Sequence, residues 1–220
     1  MKLKKIASLA LAGIMAVSML AGCKDGGNGN SGSSSSENTN TSTGLSAEVL
    51  ALTALSDWKN VKAEDNAKLN DAIKAMAKTS AVNYDKDIKA ARTGLVDLAS
   101  SNELGQMWNQ AEKIMAGATA ENWGDLKATD GAESAVRYDI YYVSGALSDA
   151  VINGLIADKI DDIATNSAGI GVPNPGTGDT YEYTVSVAKA DWLVGKEADS
   201  SKDGVLVGIA IALDYTEAKF

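Results

Sequence analysis

The chain changes its hydrophobic rhythm three times. Behind Lys2, Lys4 and Lys5, residues 6–20 (IASLALAGIMAVSML) form an uncharged, largely apolar run. Residues 24–43 (KDGGNGNSGSSSSENTNTST) then carry almost nothing apolar. From Leu45 apolar residues return at spacings of three and four, and beyond residue 180 at a spacing of two. The first spacing marks one face of a helix and the second one face of a strand.

Ser46 is placed to cap a helix reaching about Trp58, with Val49, Leu52 and Leu55 on one stripe. A second helix fits 65–79, with Leu69, Ile73, Met76 and Ala77 inward, and a third fits 85–99, with Ile88, Ala91, Leu95 and Leu98. The fourth, 102–117, shows the cleanest face: Leu104, Met107, Trp108, Ala111, Ile114 and Met115. Gly94 and Gly105 sit inside these patterns at some cost to helicity. Residues 118–131, containing Trp123-Gly124 and Asp130-Gly131, read as a loop.

Residues 134–143 (SAVRYDIYYV) are open between helix and strand. Val136, Tyr138, Ile140 and Tyr142 alternate, whereas Val136, Ile140, Val143 and Leu147 fit a helix. The helical spacing runs on through Val151, Leu155 and Ile163, which tips the reading toward one long helix bent near Gly145. Pro173, Pro175 and four glycines in GIGVPNPGTGDT then end it. Tyr181, Tyr183, Val185 and Val187 alternate with polar residues, and Val205, Val207, Ile209, Ile211 and Leu213 with small ones, Leu206 excepted. These are two antiparallel strands joined through polar residues 195–204. A hairpin alone is marginal, so it rests on helices or gains a third strand, for which 136–143 is the natural candidate. The expected fold class is α+β: an N-terminal helical region of four to five helices, then a C-terminal antiparallel hairpin or small sheet, in one domain over 45–220.

Charge and inventory narrow the chemistry. With 220 residues and 45% hydrophobic content, the chain has material for a sizeable core. A net charge of −9 and a pI near 4.6 leave no basic footprint for phosphate backbones, so nucleic acid is excluded as a partner. There is no histidine and one cysteine. That inventory removes Ser–His–Asp triads, Cys–His pairs, zinc fingers and internal disulfides.

The single cysteine closes the apolar run. A charged start, a short apolar middle and small residues at its end make a secretory leader, and 15 residues fall short of the roughly 20 a spanning helix needs. Leu20-Ala21-Gly22-Cys23 resembles the lipobox of bacterial lipoproteins at all four positions. The resemblance implies a signal peptide over 1–22, a diacylglycerol group on the Cys23 thiol and cleavage just before it. The mature chain would then be anchored on the outer, extracytoplasmic face of the cell membrane. Two acyl chains give the stable attachment that one does not. Losing Lys2, Lys4 and Lys5, with no carboxylate in the leader, takes the formal charge from −9 to −12. Residues 23–44 make a flexible Gly/Ser/Asn/Thr linker, whose twenty-odd residues span about 25 Å. The competing readings are a plain secreted protein and an uncleaved anchor.

Candidate sites are weaker. Ser56-Asp57-Trp58-Lys59 fits S-x-x-K, whose serine and lysine need one helical turn between them, but Ser148-Asp149-Ala150 and Lys78-Thr79-Ser80 only approach the companion motifs. Asp158, Asp161 and Asp162 fall within one helical turn and could offer calcium several oxygens. Carboxylate pairs for glycoside cleavage have too many combinations to choose among. Trp123 and Trp192 stand beside polar or turn residues, where exposed rings would stack on sugars or anchor a partner. Tyr138, Tyr141 and Tyr142 form a similar cluster. The function expected is a non-enzymatic binding or interaction module for an envelope glycan or another surface protein. No cofactor is implied beyond the lipid on Cys23, with calcium an open option. An envelope hydrolase using Asp/Glu or Ser–Lys chemistry and a structural spacer are the alternatives.

Overall fold

The computed structural model describes residues 44–78, 94–98, 105–120, 122–168, 170, 173–192 and 204–218, all within the unit Thr41–Phe220. Leader, Cys23 and linker therefore lie outside the described residues. Helix α1 is Leu45–Leu50, followed by a 3-10 turn, Ala54–Asp57, and the short strand β1, Val61–Ala63. Helix α2 is Ala67–Ala77, capped by Asn66, whose side chain accepts the Leu69 N–H at 3.0 Å. Strand β2 is Val96–Asp97, helix α3 Gly105–Ile114, and strand β3 Thr119–Ala120. A second 3-10 turn, Trp123–Leu126, leads to strand β4, Ala135–Ser144. Helix α4, Asp149–Asp162, is capped by Ser148 and ends in a π-helical turn, Ile163–Ser167. Strands β5, Thr180–Trp192, and β6, Gly204–Thr216, complete the order.

The six strands form one mixed sheet in the order β1-β5-β6-β4-β2, with β3 beside β2 on the outer edge of β4. β5, β6 and β4 are antiparallel neighbours, in registers running from Thr180↔Thr216 to Trp192↔Gly204 and from Ala135↔Leu213 to Ser144↔Gly204. β1 joins β5 in parallel, Val61 opposite Tyr183.

Each face of the sheet carries its own core. On one face Tyr141, Val143, Val185, Val187, Val207, Ile209 and Ile211 meet Val49 and Leu50 of α1 and Ile152, Ile156 and Ile160 of α4. On the other, Tyr138, Ile140, Tyr142, Leu206 and Ala210 meet Leu69, Ile73 and Met76 of α2 and Ala111 of α3. The small residues alternating along β6 serve this second face. A Cβ on Gly208 would stand 2.8 Å from Ile73 Cγ1 and 2.9 Å from Leu69 Cδ1, so glycine lets α2 lie close on the sheet.

The chain is thus α+β with its long strands toward the C-terminus, as the periodicity predicts. Several boundaries differ. The helix expected to run to Trp58 stops at Leu50, and Ser46 is not its cap. Asp65 accepts the Ser46 N–H at 3.1 Å, and the buried Ser46 hydroxyl donates to the same carboxylate (2.6 Å) while accepting the Val187 N–H (2.9 Å). The end of the helix expected over 85–99 is strand at Val96–Asp97; its earlier part lies outside the described residues, as does most of the 195–204 connection. The loop expected over 118–131 holds β3 and a 3-10 turn. Residues 135–144 are strand, not helix. Tyr138–Ser144 are buried without interruption, because β4 lies between β6 and the β2/β3 edge with a core on each face, and a strand covered on both sides loses its polar alternation.

Candidate functional site

Where β4 begins and β6 ends, the chain forms a cleft of about 520 Å³ lined by Gly117, Asp125, Glu133, Ser134, Ala135, Val136, Arg137, Leu213 and Asp214. The ladder itself sets its floor, since Ala135 pairs with Leu213 and Arg137 with Ile211. The Ser134 hydroxyl closes the ladder, accepting the Tyr215 N–H at 2.9 Å and donating to the Tyr215 carbonyl at 3.3 Å.

Arg137 is the central side chain. Its position in the pleat puts it on the same face as Ile211 and Ile209, toward the 3-10 turn Trp123–Leu126. There Nη2 meets Asp125 Oδ2 at 2.7 Å, while Nη1 donates to the Val136 carbonyl at 3.0 Å; Nε is buried with no hydrogen-bond partner. The arginine side chain is 14% exposed and that of Asp125 57%, so the pair is sunk on one side and wet on the other. Two of the five guanidinium N–H groups are thereby used. Glu133 and Asp214 are exposed carboxylates on the same lining.

Asp125 is held from below. Asn122 enters the turn in the left-handed region (φ 49°, ψ 42°), which asparagine tolerates better than most residues, and Trp123 and Leu126 are buried. From β5, the Tyr183 hydroxyl donates to the Leu126 carbonyl (2.8 Å) and accepts the Ala128 N–H (3.1 Å); burial pushes its pKa up. Nearby, Asp179 accepts from the Ala218 N–H (2.8 Å), the Gly176 N–H (2.9 Å) and the Tyr215 hydroxyl. The Ala218 N–H foremost, then Tyr215, holds that carboxyl below its ordinary 3.8.

The residues singled out by sequence lie elsewhere. Trp123 and Trp192 are 8% and 0% exposed, so neither ring is a surface stacking platform. Trp192 packs edge-on to Tyr142 at 6.1 Å, and Trp123 contributes to the core beneath α4. The polar neighbours that suggested exposure belong to the opposite pleat face and to a turn. Tyr138, Tyr141 and Tyr142 are likewise buried, and burial raises Tyr138 to about 12. Asp158, Asp161 and Asp162 do share α4, but Asp161 accepts the Ala54 N–H through both oxygens (3.0 and 3.1 Å) and Asp162 takes Asn166 Nδ2 (2.6 Å). Among the described residues no group of three or more acids is arranged to hold a metal ion. Ser56 and Lys59 are exposed, and the backbone turns extended at Trp58, so no helical turn joins them. Cys23 lies outside the described residues.

Sequence reasoning missed Arg137, Asp125, Glu133 and Asp214. One signal was available: Arg137 is one of only two arginines and sits, with Asp139, inside a stretch that is otherwise mostly apolar or aromatic. A charge that must lie on a buried strand needs a partner and a reason.

No protein-family model, curated protein or solved structure matches the chain.

Proposed function

We propose that this chain is a bacterial surface lipoprotein, held on the outer face of the cell membrane by diacylglycerol on Cys23, whose folded part is a non-enzymatic binding module. The Arg137 cleft is its binding site. The observation that carries the anchor is Leu20-Ala21-Gly22-Cys23 at the end of a charged-then-apolar leader. Two features support the module. α1 begins at Leu45, directly after a polar stretch long enough to act as a tether, and the cleft is a concave place where a fixed donor and several acceptors converge. Glu133 and Asp214 stand on the same wall as the Arg137–Asp125 pair, so fixed acceptors lie beside a fixed donor, an arrangement suited to holding a polar ligand.

Mass spectrometry of the N-terminal peptide from membranes tests the anchor. The expected species starts at Cys23 and carries the diacylglyceryl mass, with incorporation of a palmitate analogue that Cys23→Ser abolishes. A free thiol, or residues 1–22 still joined, overturns the reading.

A further inference from the structure

We infer that the Arg137 cleft takes a neutral, polyhydroxylated ligand, a sugar ring or short glycan, and not an ion. The inference rests on the reading of the cleft as the binding site and adds the chemical class. Arginine only donates hydrogen bonds and ionised carboxylates only accept them. Here one donor-only group, Arg137, and three acceptor-only groups, Asp125, Glu133 and Asp214, line the same volume. A hydroxyl does both. Neighbouring hydroxyls on one ring would therefore accept from Arg137 and donate to a carboxylate across the 2.7 Å contact between Arg137 and Asp125.

With one guanidinium against three carboxylates the lining is net negative, so an anion drawn by Arg137 is repelled by Asp125, Glu133 and Asp214, while a cation would gain only from two exposed, solvent-screened carboxylates and would face the guanidinium. The remaining lining suits the C–H face of a ring: Ala135, Val136 and Leu213 are apolar, and Gly117 adds no side chain. The volume, about 520 Å³, falls within the range of roughly 300–1,000 Å³ typical of small-molecule sites. The arginine is also preorganised. Both its Nη atoms are tied and its stem is sunk, so little side-chain freedom remains to be lost on binding.

The test is calorimetric titration of the full chain, purified from membranes in a neutral detergent. The probes are N-acetylglucosamine disaccharide, cellobiose and maltose, with spermidine and inorganic phosphate as the charged arms. At least one saccharide should bind, with a Kd changing less than twofold between about 50 and 500 mM salt, since no charge pair forms. Asp214→Ala, at an exposed position, and Arg137→Lys should each weaken it about tenfold. Asp158→Asn, on α4 and outside the cleft, should leave it unchanged. Salt-sensitive binding of spermidine or phosphate that Asp214→Ala or Arg137→Lys alters, without saccharide binding, overturns the ligand class and leaves the cleft standing as a site. Binding insensitive to both cleft variants, or no binding by any probe, overturns the cleft reading as well.

Discussion

One phenol fixes the turn that carries Asp125. Tyr183 is 1% exposed, and its hydroxyl satisfies both the Leu126 carbonyl and the Ala128 N–H. Tyr183→Phe removes one group and strands two buried ones, so unfolding free energy should fall by about 1–3 kcal/mol. In urea titration the midpoint should drop with the slope unchanged; an unshifted midpoint would show those two backbone groups finding other partners. Asp179 makes a pH-dependent contribution. Its folded pKa lies below the ordinary 3.8, so its share of stability is complete above that value and is lost as pH falls through the folded pKa. Asp161 acts in the opposite sense: burial raises it, which works against folding once it is ionised and lessens as pH falls. Thermal melts between pH 6 and 2.5 should show a fall in Tm at the acid end that is shallower in Asp179→Asn. The same acid slope in variant and parent would remove Asp179 from the account. Neither role is written in local sequence, since Tyr183 reads as one more alternating strand residue and Asp179 as loop.

Elements were legible in proportion to how different their two faces are. α2 shows a clean stripe because Leu69, Ala72, Ile73 and Met76 are its buried residues, and β6 shows alternation because large residues face α4 and small ones face α2. β4 gave a mixed signal because tyrosines and valine fill both of its faces, and the turn to α4 is only Gly145–Ser148. The small face of β6 makes a measurable demand. Gly208→Ala puts a methyl within 3 Å of Ile73 and Leu69, so α2 must shift, at about 1–3 kcal/mol. Ile73→Ala alone opens a cavity costing about 2–5 kcal/mol. Because the new methyl would occupy part of that cavity, the double variant should lose clearly less than the two single losses combined. Strict additivity in a urea double-mutant cycle would mean that the two residues do not share the contact.

At the scale of the whole molecule, the cleft was illegible because its walls come from residues 117, 125, 133–137 and 213–214, which meet only once the sheet exists. The same topology constrains when the sheet can exist. β6 lies in the middle of the strand order yet follows β1, β2, β4 and β5 in the chain. β1 pairs with β5 across more than a hundred residues, Val61 opposite Tyr183, and the buried Ser46 hydroxyl waits for the Val187 N–H. Without β6, β4 and β5 have no common neighbour, and the two cores lose their shared wall. The helices that precede it would have only two separate ribbons to cover, β5 with the three-residue β1 and β4 with the two-residue β2 and β3, too little sheet to hold an independent fold. A chain proposed to cross the membrane before folding gains from this order, because no stable sheet forms until its final long strand is available. Truncation after Trp192 should therefore abolish cooperative unfolding, leaving a sloping baseline in urea and little near-ultraviolet circular dichroism from the tryptophans. A sigmoidal transition in the truncated chain with the slope of the full one would show that β1–β5 and their helices fold without β6.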